Sequence, residues 1–171
     1  MKKYFICIIL SLLFASLALA RSTGCKEGNC ENGFGKWVYT DKTTYEGEWA
    51  DTKKNGQGVE TWPNGYIYKG EFRNSEWSGI GVLTFPDGST YEGEWVATKK
   101  NGQGVETWPN GYIYKGEFKN SAWNGMGVLT FPDGSTYEGE WAEGFMNGKG
   151  TFTSSDGTQM SGTWKNGKLQ E

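Results

Sequence analysis

The sequence predicts an all-β protein, an elongated array of about six stacked antiparallel β-hairpins that form a single twisted, solenoid-like sheet. Two observations carry this prediction. An Asn/Ser-Gly-x-Gly tetrad recurs at a constant step of 23 residues, and the segment 101–118 repeats the segment 55–72 letter for letter. Fixed-period self-similarity is typical of repeat arrays, in which each unit contacts chiefly its neighbours. The tetrads begin at Asn32, Asn55, Ser78, Asn101, Asn124 and Asn147.

Residues 1–20 read as a secretory signal peptide that would be removed from the mature protein. Two lysines precede an apolar run, which ends in Ala-Leu-Ala before Arg21. This pattern predicts export to the periplasm, the cell envelope or the exterior. Two alternatives remain open. An uncleaved membrane anchor is disfavoured because the run is short for a span, and a lipid anchor on Cys25 is disfavoured because polar residues precede it.

Residues 21–31 are predicted to form an N-terminal cap tied by a disulfide between Cys25 and Cys30. Export would place both thiols where disulfides persist. We expect the disulfide to tie off the first repeat, since an array exposes an unpaired strand at each end. A redox or zinc site is the alternative, but two thiols in a chain without histidine are too few ligands for zinc. The repeat array then occupies residues 32–171.

Each repeat is predicted to be one hairpin, most clearly within residues 55–77. Residues 58–62 have β-branched and aromatic character, the sequence Pro-Asn-Gly at 63–65 favours a tight turn, and residues 66–72 return as a second strand. The two-residue period of that strand places its aromatic residues and its glycine on one face and its charged residues on the other.

Two aromatic columns separated by a glycine are predicted to run through the whole array. Because glycine has no Cβ, it leaves a trough into which a neighbouring ring can lie, so the columns should pack as continuous stacks. A lone hairpin could not bury this face. The first column contains Tyr45, Tyr68, Tyr91, Tyr114 and Tyr137, and the second contains Trp49, Phe72, Trp95, Phe118, Trp141 and Trp164.

The opposite face is predicted to be charged. One position of five successive repeats is always glutamate, and we expect these carboxylates to accept backbone hydrogen bonds from the adjoining loop rather than to form five catalytic sites. The column contains Glu48, Glu71, Glu94, Glu117 and Glu140. The lysine pairs Lys53-Lys54 and Lys99-Lys100 are interpreted as solvated loop tips.

The unit Tyr-x-Gly-Glu-Trp/Phe followed by Asn-Gly-x-Gly resembles the MORN repeat (membrane occupation and recognition nexus). The resemblance covers about 140 residues and is clearest at 45–49, 91–95 and 137–141, each of which reads Tyr-Glu-Gly-Glu-Trp. Residues 160–164, Met-Ser-Gly-Thr-Trp, depart from it. The resemblance implies an elongated, twisted antiparallel sheet with a groove, which serves as a scaffold, a protein-docking element or a membrane-apposed element.

Composition argues against several classes of function. The chain has no histidine, the side chain most used for acid-base work and metal binding, and its net charge of −3 does not suit nucleic acid. We therefore predict no enzyme, no cofactor, no metal site and no nucleic-acid partner. The carboxylates of Glu60, Glu106, Asp87 and Asp133 would suit a glycosidase by residue type alone. Their repetition argues against that role, because a catalytic pair needs two different environments.

The function that the sequence favours is an exported, non-catalytic scaffold or protein-interaction module. Association with a phospholipid membrane is the first alternative, because of the family resemblance and the lysine-bearing loops. Glycan binding on exposed aromatic rings is the second. The candidate partner surface consists of Trp62, Trp77, Trp108 and Trp123, although these rings would equally pack against adjacent hairpins.

Overall fold

The structure, a computed structural model, describes residues 23–170, so the predicted signal peptide lies outside the described residues. This part of the chain contains strands and no helix, and hence no helix that could cross a membrane. The strands are β1 (Gly24–Gly28), β2 (Gly33–Val38), β3 (Thr44–Ala50), β4 (Lys53–Thr61), β5 (Ile67–Arg73), β6 (Glu76–Thr84), β7 (Thr90–Val96), β8 (Lys99–Thr107), β9 (Ile113–Lys119), β10 (Ala122–Thr130), β11 (Thr136–Ala142), β12 (Phe145–Thr153), β13 (Gln159–Lys165) and β14 (Lys168–Leu169).

The fourteen strands form one sheet in chain order, from β1 at one edge to β14 at the other. Every neighbouring pair is antiparallel, and β1 does not pair with β14, so the sheet is an open array of hairpins. The predicted fold class is therefore confirmed. The order follows from the sequence, because each pair of strands is joined by a short turn that can only connect antiparallel neighbours.

Two kinds of turn alternate along the array. The first is the predicted turn at Pro-Asn-Gly, where Gly65 adopts a φ of 93° and the backbone N–H of Trp62 donates to the carbonyl of Tyr66 over 2.9 Å. The second is a two-residue turn such as Asn74 and Ser75, whose φ values are 53° and 69°. Two left-handed residues in succession are the geometry of a type I′ hairpin turn, which matches the twist of the strands.

Five of the six glycine-rich tetrads lie wholly inside strands, and the first has its Asn32 just before β2, which corrects the predicted strand bounds. Strand β4 begins at Lys53, five residues before the predicted start. Gly47 pairs with Gly58 and Trp49 pairs with Lys54, so residues 55–57 face the single residue Glu48. This bulge requires Gly56 at a φ of 61°, and bulges of this kind bend and twist a sheet.

The glutamate column closes these bulges. The carboxylate of Glu48 accepts the backbone N–H of Gln57 over 2.9 Å, and the carboxylate of Glu94 accepts that of Gln103 over 2.8 Å. The predicted role as backbone hydrogen-bond acceptors is therefore confirmed. The donors belong to strand bulges and not to an adjoining loop, which is where the prediction was wrong.

The core lies on one face of the sheet, which we call the aromatic face. The five tyrosines of the first column are all 0% exposed although residues 23–170 form no second layer of structure over them. The hydroxyl of Tyr68 donates to the carbonyl of Glu71 over 3.1 Å, and a Cβ built on Gly81 would lie 2.4 Å from that hydroxyl oxygen. The indole N–H of Trp95 donates to the carbonyl of Gly81 over 3.1 Å. The rings thus rest on glycines of a neighbouring strand.

We expect the array to unfold cooperatively in alkali, above about pH 10. Burial, with a smaller contribution from Glu71, raises the pKa of Tyr68 well above its ordinary value of 10.0, and burial acts in the same direction on Tyr45, Tyr91 and Tyr114. A raised pKa in the folded state means that the unfolded state loses its protons first. The stability due to these tyrosines is complete below pH 10 and is lost as the pH rises above it.

Tyrosinate absorbance and circular dichroism, followed together against pH, check this expectation. The tyrosinate signal and the loss of β-sheet signal should appear in one transition. Titration of all the tyrosines near their ordinary pKa, in a sheet that stays folded, would contradict the buried column.

Candidate functional site

A row of half-buried rings runs across the strands of the aromatic face, at the end of the strands where the Pro-Asn/Asp-Gly turns lie. It consists of Trp62, Phe85, Trp108 and Phe131, one from each successive repeat, and we call it the aromatic ribbon. Each ring stands between the end of a strand and a Pro-Asn/Asp-Gly turn, and it is only partly buried there. The ribbon therefore presents part of its aromatic surface to solvent, whereas the tyrosine column beside it is closed.

The four tryptophans of the candidate partner surface meet in two matched pairs. The ring of Trp77 stacks on Tyr68 with centroids 4.2 Å apart and an angle of 2°, and Trp62 meets Trp77 edge-on at 5.8 Å. The same arrangement recurs 46 residues later, with 4.2 Å from Trp123 to Tyr114 and 5.8 Å from Trp108 to Trp123. All four rings pack within the array, and all four stay partly exposed.

Two buried ion pairs lie on the same face. The ammonium of Lys54 pairs with Glu60, and their side chains are 12% and 7% exposed. The ammonium also lies 5.6 Å from the ring centre of Tyr45 and 5.4 Å from that of Phe72, within the range of cation–π attraction. Lys100 repeats this arrangement with Glu106.

The interpretation of these lysines as solvated loop tips is therefore wrong for Lys54 and Lys100. Lys53 and Lys99 are exposed as that interpretation requires, but they are the first residues of β4 and β8 and not loop residues. The reason is the alternation of the strand, which directs the first lysine of each pair outward and the second onto the aromatic face.

At one repeat position of the aromatic face, lysine and tryptophan alternate from repeat to repeat. Either side chain covers a tyrosine of the core. Lys54 lies over Tyr45, and the next residue in the column, Trp77, stacks on Tyr68. A companion column alternates in step, with glutamate beside each lysine and leucine beside each tryptophan. The lysine–tryptophan column runs Lys54, Trp77, Lys100 and Trp123, and the glutamate–leucine column runs Glu60, Leu83, Glu106 and Leu129. Sequence reasoning missed this pairing, although the matched 46-residue alternation of both columns signals it.

The carboxylates considered for catalysis have structural partners. Glu106 receives the ammonium of Lys100 on one oxygen and the indole N–H of Trp123 on the other, over 3.1 Å. Asp87 accepts the backbone N–H of Ser89 over 2.9 Å within a turn, and this hydrogen bond lowers the pKa of its carboxyl. Within residues 23–170, no group of three or more Cys, Asp or Glu side chains could hold a metal ion. The carboxylates of Glu106 and Asp87 are thus engaged in an ion pair and in a turn hydrogen bond.

The other face of the sheet, which we call the charged face, differs in chemistry. Val59 pairs with Lys69, which pairs with Val82, which pairs with Glu92, so that valines separate charges of alternating sign. Lys69 and its counterpart Lys115 are exposed. The two faces can therefore be altered independently.

The repeats are also found by comparison with known proteins. A family model described as the MORN repeat matches residues 45–65, 68–90, 91–111, 114–136, 137–159 and 161–170. Alsin of Rattus norvegicus is 52% identical over 31 residues, which make up 18% of this chain and 2% of Alsin. The matched segment thus spans only a small fraction of the length of that curated relative.

Among solved structures, the sheet is similar to the TCP domain of SAS-4 (dCPAP) of Drosophila melanogaster, solved in complex with a proline-rich motif of Ana2 (dSTIL). The TM-score is 0.54 at 13% identity, over 82% of this chain and 78% of that one. The TCP10 domain of Danio rerio CPAP, in complex with a peptide of Danio rerio STIL, gives a TM-score of 0.48 at 17% identity over 75% and 57% of the two chains. At 13% identity the likeness to the SAS-4 domain shows the fold alone.

Proposed function

This chain belongs to the MORN-repeat family, and on that premise we propose that it is an exported, non-catalytic module that binds a protein partner on its aromatic face. The observation that carries the proposal is the pair of matched tryptophan clusters, Trp62 with Trp77 and Trp108 with Trp123, on one face. Partly exposed tryptophans concentrated in one place are typical of binding hot spots. Export rests on the leader-like sequence of residues 1–20.

The spacing of the clusters indicates the shape of the partner. Trp77 lies in β6 and Trp123 in β10, so four strand spacings separate the two clusters, a distance of about 19 Å. A polyproline II segment advances about 3.1 Å per residue, so about six residues would bridge them. Aromatic grooves recognise such preformed segments. We therefore propose an extended, proline-rich segment as the partner, in line with the proline-rich motif bound by the structurally similar SAS-4 domain.

A lipid-binding function has less support. It rested on the family resemblance and on two lysine pairs, and half of those lysines, Lys54 and Lys100, are engaged in buried ion pairs. An exported protein would also not meet phosphoinositides. Glycan binding remains as an outcome of the test below, because flat rings suit sugar faces as well as proline rings.

Selection of random peptides displayed on phage against the mature protein tests the proposal. We expect selected peptides to carry two proline or aromatic anchors about six residues apart. The double variant Trp62→Ala/Trp108→Ala should weaken binding of a selected peptide by about tenfold or more, measured by calorimetry. The matched control is Lys69→Ala/Lys115→Ala, two exposed residues with the same 46-residue spacing on the charged face. The affinity of this control variant for the selected peptide should be unchanged.

The opposite pattern would overturn the proposal. Binding that is lost in the lysine variant and kept in the tryptophan variant would move the site to the charged face. Saturable binding of a polysaccharide, with no peptide selected, would favour the glycan alternative.

A further inference from the structure

Strand β1 corresponds to the second strand of a repeat hairpin, such as β5. A disulfide stands where those later strands carry their two aromatic residues. Cys25 pairs with Trp37 across the ladder, as Tyr68 pairs with Leu83 further into the sheet. Gly28 pairs with Gly35, as Gly70 pairs with Gly81. Cys25 therefore stands in the tyrosine column. Cys30, which is bonded to Cys25 and is 6% exposed, follows the glycine by two residues as the tryptophans do.

Two sulfur atoms fill less space than a tyrosine ring and an indole, and a cavity of about 670 Å³ remains beside the disulfide. Its walls include Cys25 and Cys30 together with three aromatic rings and one acidic residue, which are Trp37, Tyr39, Trp49 and Glu31. The ring centre of Trp37 lies 6.1 Å from that of Trp49 and 6.3 Å from that of Tyr39. The cap thus leaves an aromatic-lined space at the β1 end of the aromatic face.

The interior of the array fills the equivalent space with an ammonium in alternate repeats and with an indole in the others. One repeat further on, the ammonium of Lys54 lies over aromatic rings and pairs with the carboxylate of Glu60. The 23-residue step relates Lys54 to Glu31, so the cap carries a carboxylate where the interior carries an ammonium. Among residues 23–170, the Glu31 carboxylate makes no hydrogen bond or ion pair, while its backbone carbonyl accepts the N–H of Thr52 over 3.0 Å.

We propose that this cavity binds an alkylammonium group, held over the rings of Trp37 and Trp49 beside Tyr39 and neutralised by Glu31. Such a ligand restores the combination of ammonium, carboxylate and rings that the chain builds internally at Lys54 and Lys100. Aromatic rings attract organic cations through their negative faces, and a single nearby carboxylate adds charge complementarity. The group is supplied either by a lysine side chain of a polypeptide or by a small quaternary amine. The proposal is independent of the peptide surface, since it concerns the cap.

Titration followed by the indole N–H signals of Trp37 and Trp49 in NMR spectra tests this site directly. The probes are choline, Nα-acetyl-lysine methylamide, and the neutral carbon analogue of choline. We expect saturable binding of a charged probe in the millimolar range, with the neutral analogue about tenfold weaker. Tighter binding of choline would identify the small-amine source, and tighter binding of the lysine derivative would identify the polypeptide source.

The variant Glu31→Gln should weaken binding of the charged probe about fivefold, because it removes the carboxylate and keeps the shape. Glu31 is exposed, so this variant should fold, and Glu76→Gln, another exposed carboxylate, is the matched control. Lack of saturable binding by both charged probes would overturn the proposal. Equal binding of the neutral analogue would also overturn it, since the cavity would then be an apolar cleft only. Either failure leaves the peptide test above unaffected.

Discussion

Replacing Lys54 with methionine should destabilise the array by about 3 kcal/mol, because the carboxylate of Glu60 would then stay buried without its partner. Both side chains are nearly closed to solvent, at 12% and 7% exposure, so water can do little to compensate. The ammonium also contacts the rings of Tyr45 and Phe72, and those contacts are lost as well. Urea unfolding followed by circular dichroism measures the change in the free energy of unfolding.

The chain supplies its own control for this substitution. The equivalent positions one repeat later hold Trp77 and Leu83, and Trp77 stacks on the tyrosine that it covers. The double variant Lys54→Trp/Glu60→Leu copies that pair and should lie within about 1 kcal/mol of the wild type. A double variant as unstable as Lys54→Met would contradict the idea that a lysine–glutamate pair and a tryptophan–leucine pair cover the tyrosine column interchangeably.

The period of the sequence was enough to predict the sheet and its core. A tyrosine, a glycine and an aromatic residue at alternate positions, as in Tyr68, Gly70 and Phe72, must share one face of a strand. Repetition at 23 residues then sets those faces side by side. The disulfide between Cys25 and Cys30, predicted from the two cysteines that precede the first repeat, is also present in the structure.

The bulges and the buried lysines could not be predicted in this way. The residues around Gly56 resemble a loop because glycine is common in turns, and the pairing of Gly56 with Phe72 and of Gln57 with Glu71 shows that they belong to a strand. Lys54 stands two residues after a turn, where lysine is ordinarily solvated. Its burial depends on rings from two neighbouring strands, and single-sequence patterns do not specify that contact.

Replacing Gly70 with alanine should destabilise the array by about 3 kcal/mol. A Cβ at this position would lie 2.5 Å from Gly81 Cα, 2.7 Å from the carbonyl oxygen of Ile80 and 2.8 Å from the hydroxyl oxygen of Tyr68. The first two are backbone atoms of the neighbouring strand. They cannot withdraw unless the pairing of β5 with β6 is loosened and the ring of Tyr68 leaves its trough. Urea unfolding again measures the loss.

The matched control is Gly134→Ala, at a turn where a Cβ would meet nothing within 4 Å. Its φ of 84° makes alanine strained there, so a loss of about 1 kcal/mol is expected from the backbone alone. Urea unfolding of these two variants beside the wild type is the most direct test of the claim that close glycine pairs with rings resting on them hold this sheet together. That claim predicts that Gly70→Ala loses roughly three times as much stability as Gly134→Ala. Equal losses, or a Gly70→Ala protein as stable as the wild type, would contradict it.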